Sequence, residues 1–96
     1  MTPSDTIARP NFGKGQKVAY TGTAGTITNE FPEGTAAVWL VATTDCFIRI
    51  GISPTAVADV DFYLPALVPM CFPAVPREKA SGVQVVSGGS LYAIPV

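Results

Sequence analysis

Asp59 and Asp61 stand two positions apart in a chain of 96 residues. A D-x-D pair offers two hard oxygens to calcium, but that ion takes about six to eight oxygen ligands and the neighbouring stretch supplies few. The pair reads instead as two acids on the solvent side of a strand. Glu30 and Glu33 are of the right type for general acid–base work, yet they flank Pro32 and precede Gly34, which marks a polar turn. Ser4, Ser53, Ser81, Ser87 and Ser90 with Lys14, Lys17 and Lys79 contain the ingredients of a Ser-Lys pair, but no motif sets one beside another in a nucleophile turn. The chain has no histidine, so the commonest general base near neutral pH and the commonest zinc ligand are both missing. No catalytic residue, metal site or cofactor is expected.

Gly13, Lys14, Gly15 and Lys17 imitate a phosphate loop only in composition. GKGQK has the wrong spacing, and no helix follows whose N-terminus could hold an anion. Trp39, Tyr20, Tyr63 and Tyr92 could stack on sugar rings, although packing in a core or interface is the simpler use of such side chains. Arg49 lies mid-strand, opposite in direction to Ile48 and Ile50, where a local ion pair or a subunit contact suits it better than catalysis. Cys46 and Cys71 are 25 positions apart and resemble neither a zinc knuckle nor a redox pair. Two reduced, buried thiols are expected.

The elements that must position these residues are strands. Nine Gly and nine Pro leave few windows long enough for a helix. In the longest one, residues 35–50, the β-branched and aromatic side chains suit a pleated sheet. Cys46, Ile48, Ile50 and Ile52 share one face of a strand, and Val60, Phe62 and Leu64 share another. Gly88-Gly89 between two apolar runs signals a hairpin. Strands are expected at residues 17–21, 26–29, 35–43, 47–52, 59–64, 66–72, 82–87 and 91–94. Pro65, Pro69, Pro73 and Pro76 make the sixth an edge strand or no strand at all. The fold class is therefore all-β: a small antiparallel β-sandwich, jelly-roll-like, or a barrel of about eight short strands. Residues 1–15, broken by Pro3, Pro10, Gly13 and Gly15, form an extended N-terminal arm, and residues 16–96 form a single β domain. Ile7, Arg9 and Phe12 on the arm, with Arg49 on the domain, are the candidate partner-binding residues.

Composition narrows the class of function. Six basic against seven acidic side chains give a net charge of −1, which excludes the basic face that nucleic acid requires. Charged residues make up 14% of the chain, against about 25% in average soluble proteins, while 48% are hydrophobic. A domain of this size buries only about 60–65% of its unfolded surface, so apolar area should remain outside the core for a partner to cover. No stretch reaches the roughly 20 apolar residues of a membrane-spanning helix. The N-terminus lacks a basic start followed by an apolar core, and predicts a chain made and kept in a cytoplasm.

One series of motifs carries a resemblance. ATTDCFIRIGISPTA at Ala42 to Ala56 is followed by FYLPALVP at Phe62 to Pro69, then FPAVPREKASGVQVV and GGSLYAIPV. Across residues 40–94 this order resembles small β-rich structural proteins of tailed bacteriophages, in particular head decoration or cement proteins. The resemblance implies a non-enzymatic virion protein on the capsid surface, assembled in the host cytoplasm. Its partner would be the major capsid protein or other virion structural proteins. It also implies a homo-oligomer, often a trimer. Asp45, Cys46, Arg49, Gly51, Pro54 and Leu64 match as fold determinants. A tail, neck or fibre-attachment subunit, and a small carbohydrate-binding adhesion module, are the alternative expectations.

Overall fold

Val38, Leu40 and Ala42 alternate with Ala37, Trp39 and Val41, and this two-residue period decides which side chains enter the interior. The computed structural model describes residues 13–96, where the regular elements are eight strands and no helix occurs. In chain order they are β1 (Gln16–Tyr20), β2 (Gly25–Thr26), β3 (Ala37–Ala42), β4 (Cys46–Gly51), β5 (Phe62–Leu64), β6 (Met70–Pro73), β7 (Lys79–Gln84) and β8 (Gly89–Pro95). Among these residues no helix is long and apolar enough to cross a membrane.

The strands form two antiparallel sheets of four, ordered β1-β8-β3-β6 and β2-β7-β4-β5. First pairs with last, second with seventh, third with sixth and fourth with fifth, as if one long hairpin had been wound into two layers. That is the jelly-roll order. Val38, Leu40 and Ala42 of β3 meet the inner residues Leu91 and Ala93 of β8, and face Cys46 and Ile48 of β4, Leu64 of β5 and Ala80 of β7 in one core. Ile27 and Phe31, in the connection after β2, join the same core. The layers come close at Gly82, where a Cβ would stand 3.3 Å from Leu91 Cδ2.

Several expectations need correction. The hairpin read at Gly88-Gly89 does not exist, because β7 and β8 lie in different sheets. The glycines serve close approach instead: a Cβ on Gly88 would lie 2.8 Å from the Tyr20 carbonyl oxygen. The strand read at residues 59–64 shrinks to Phe62–Leu64. Val57 to Asp61 form a turn in which Val60 and Asp61 both donate backbone N–H to the Val57 carbonyl, with Asp59 at φ 66°. Val60, expected inside, is therefore exposed, and Phe62, on the same side as the buried Leu64, is exposed because β5 is an edge strand. Ile52 lies beyond the end of β4 and is exposed too. The second strand is only two residues long, at Gly25–Thr26. Cys46 is buried but Cys71 is exposed, since the inward positions of β6 belong to Met70 and Phe72. β6 is an edge strand, with Pro69 before it and Pro73 at its end.

Candidate interaction surfaces

Arg49 points outward from β4 and meets Asp61, with Nη2 2.9 Å and Nε 3.0 Å from Oδ1. The other carboxylate oxygen, Oδ2, accepts the Val57 N–H at 2.7 Å. Ala56 N–H donates to Ser81 Oγ at 3.0 Å, and Thr26 Oγ1 donates to the Pro54 carbonyl at 3.1 Å. Together these bonds hold residues 52–61 over the outer face of the β2-β7-β4-β5 sheet. Asp61, expected in solvent, is only 12% exposed and serves as the clasp. Burial pushes its pKa up, but the Val57 N–H and the Arg49 guanidinium outweigh this and hold it below the usual carboxylate range. Asp45 makes a second clasp: its carboxylate accepts Tyr63 O–H at 2.6 Å and Ala66 N–H at 2.7 Å. The Tyr63 hydrogen bond, then the Ala66 one, lowers the Asp45 pKa, and the first raises that of the Tyr63 phenol.

Both carboxyls have folded pKa values below their unfolded value of about 3.9. Their contribution to stability is therefore fully present above that value and is lost as pH falls through the folded pKa. Asp45→Asn and Asp61→Asn are each expected to flatten the fall in stability between about pH 5 and pH 2, read as denaturant midpoints against pH. Unchanged slopes in both variants would remove the clasps from the account.

The four aromatic residues that could have formed a sugar platform are dispersed. Tyr20 is buried, with its hydroxyl 2.7 Å from the Thr44 carbonyl oxygen. Tyr63 lies on the other sheet in an edge contact with Phe47, ring centroids 5.6 Å apart. Trp39 and Tyr92 alone share a surface: they line a groove of about 530 Å³ on the outer face of the β1-β8-β3-β6 sheet, with Lys17, Val41 and Ile94. The register sets Tyr92 between Lys17 and Val41, and Trp39 between Ile94 and Cys71. Lys17, Cys71 and Tyr92 are exposed there.

A larger apolar surface follows the opposite edges of the two sheets. Ten large apolar side chains are exposed among the described residues, and eight of them fall within residues 52–75. That concentration makes the stretch a surface rather than scattered exposure. Leu67 is 74% exposed, Val60 71% and Phe62 48%. The edge strands β5 and β6 are bridged by Phe62 and Phe72, whose rings cross edge-to-face at 5.1 Å. Between them the chain is tied to β3 by the Leu67 N–H to Ala42 carbonyl bond at 2.8 Å, and Leu67 takes a left-handed φ of 62°. The stretch carries two charges, Asp59 and Asp61, and the second is neutralised by Arg49.

Of the residues expected to bind a partner, Ile7, Arg9 and Phe12 lie outside the described residues. Arg49 lies beside this flank, engaged with Asp61 yet 45% exposed on its side chain. Val60 was expected inside, and Leu67 and Val68 were not singled out from the sequence. The signal for the latter two was the apolar run in LPALVP, enclosed by prolines and lacking any strand period. Among the described residues, no group of three or more His, Cys, Asp or Glu side chains gathers where a metal could sit.

No protein-family model matches the chain, and no curated protein does. Among solved structures the chain is similar to KdgF from Halomonas sp., at 7% identity and a TM-score of 0.36 over 98% of this chain and 91% of that one, a likeness too slight to carry an argument about fold or function.

Proposed function

We propose that this protein is a non-enzymatic structural subunit of a virion, a capsid decoration or cement protein that docks on the major capsid protein lattice through residues 52–75 and acts as an oligomer. One observation carries the reading: a nearly uncharged apolar flank on a domain whose core is already complete. Covering it contributes about 25 cal/mol per Å² of apolar surface, against association costs of about 4–15 kcal/mol. A single contact of this size is weak, and repetition over a lattice supplies strength through avidity. The clasps at Asp45 and Asp61 fix the flank's loops beforehand, which lowers the ordering cost at the interface.

The test is co-sedimentation of the purified chain with empty shells of the cognate major capsid protein and, separately, with tails. Saturable, stoichiometric capture by shells is expected. Capture by tails alone would move the protein to the tail or neck, and capture by neither would remove it from the virion.

Trp39 and Tyr92 in one groove favour a second reading, a carbohydrate-binding module. Sugar recognition needs several convergent polar groups beside the stacking rings. Here the Gln16 amide is already spent on both the N–H and the carbonyl of Asn29, at 2.9 Å each, leaving Lys17 and the Tyr92 hydroxyl. The groove is better suited to an apolar occupant.

A further inference from the structure

The two sheets differ in what lies over them. Residues 52–61 cover the outer face of β2-β7-β4-β5, whereas the outer face of β1-β8-β3-β6 keeps an open apolar groove lined by Gly15, Lys17, Trp39, Val41, Tyr92 and Ile94. We propose that the occupant of this groove is the chain's own N-terminal segment, residues 1–12, with Phe12 as its anchor and Ile7 as its far contact.

The argument is one of position, reach and chemistry. The described chain begins at Gly13, two residues before the groove lining starts at Gly15, so residues 1–12 are tethered at the groove's rim. Gly13 has φ +86°, a left-handed conformation that glycine adopts readily, and no atom lies within 4 Å of where its side chain would be. A chain reversal onto the sheet face is open there. Crossing the sheet from β1 to β6 takes three strand spacings, about 14 Å, and five residues reach up to about 17 Å. Pro10, between Ile7 and Phe12, breaks the strict two-residue alternation that would set those two side chains on opposite sides. With Phe12 held near Gly15 and Ile94, Ile7 reaches the level of Trp39 and Cys71. The named lining carries one charged side chain, Lys17, and accepts apolar groups; Phe12 and Ile7 are the segment's large apolar side chains besides Met1. An intramolecular occupant also gains from the high effective concentration of a short tether, which an external ligand lacks. The seat touches residues 52–75 only at Pro69 and Cys71 and leaves Val60, Phe62, Leu67 and Val68 uncovered, so this inference stands or falls apart from the proposed function.

Trp39 is the chain's one tryptophan, so its fluorescence reports on the groove alone. In the full chain, Phe12→Ser and Ile7→Ser should each shift Trp39 emission to the red and raise acrylamide quenching about two-fold as the ring loses cover. Val86→Ser, at an exposed site outside the groove, should do neither. Unaltered emission and quenching in both arm variants would overturn the proposal. A covalent trap does not depend on those variants folding. Ala8→Cys in the full chain should form, on mild oxidation, an intrachain disulfide with the exposed Cys71, seen as a monomer two hydrogens lighter, while the buried Cys46 stays reduced. An interchain dimer would assign the groove to a second copy's segment, and no disulfide would leave it without the arm; either outcome overturns the inference.

Discussion

Gly89→Ala is expected to destabilise the protein by about 3 kcal/mol, combining overpacking of about 1–3 kcal/mol with the loss of the part-buried Tyr20 hydrogen bond, worth about 1 kcal/mol. A Cβ at this position would stand 2.5 Å from Thr44 Oγ1, 2.6 Å from Thr43 Oγ1 and 3.0 Å from the Tyr20 hydroxyl. None of these atoms is free to retreat. Tyr20 is buried and its hydroxyl donates to the Thr44 carbonyl; Thr44 Oγ1 donates to the Ser87 carbonyl at 3.1 Å; Thr43 Oγ1 accepts the Ser90 N–H at 2.9 Å. The network sits where the chain crosses from one sheet to the other, so the alanine methyl must break a bond or separate the layers. On a domain of ordinary marginal stability this lowers the thermal midpoint by roughly 15 °C. Gly51→Ala is the control, since a Cβ there meets nothing within 4 Å, and it should be close to neutral. Denaturant unfolding of the two variants side by side measures the difference, and equal midpoints would count against the crossing.

The second large effect concerns binding. The double variant Val60→Asp, Leu67→Asp should lose about 1,000-fold in affinity for capsid shells, because each buried apolar anchor is worth about 2 kcal/mol and each new carboxylate must be desolvated. Its stability should stay within about 0.5 kcal/mol of the parent, as both side chains stand mostly in water. Leu67 also occupies a left-handed φ of 62°, which aspartate tolerates better than leucine. Loss of binding through unfolding is thereby separated from loss through the surface. Binding isotherms with shells, paired with denaturant curves, give both numbers. Retention of full affinity in a folded double variant would remove the flank from the interface.

Much of the fold is legible because a strand's two-residue period is written in adjacent residues. Cys46, Ile48 and Ile50 declare an inner face, and Pro69 and Pro73 declare an edge. Sheet membership is not local. Gly88-Gly89 fits a hairpin and a sheet-to-sheet crossing equally well, and only the long-range pairing of β8 with β1 and β3 decides between them. The same holds for Asp61, whose alternation with Val60 and Phe62 suggested a solvent-facing acid. Its partner Arg49 is twelve residues away, and the turn at Asp59 resets the period. Of the candidate site, composition foretold apolar surface in excess of the core. It could not place that surface on residues 52–75, since exposure there depends on β5 and β6 being the edges of two different sheets.

The decisive measurement is a cryo-EM map of capsid shells saturated with the full-length chain. The account predicts a β-sandwich at each lattice site with Val60, Phe62, Leu67 and Val68 packed against a neighbouring protein subunit. A map in which those four side chains face solvent, with the contact made elsewhere on the domain, would contradict it.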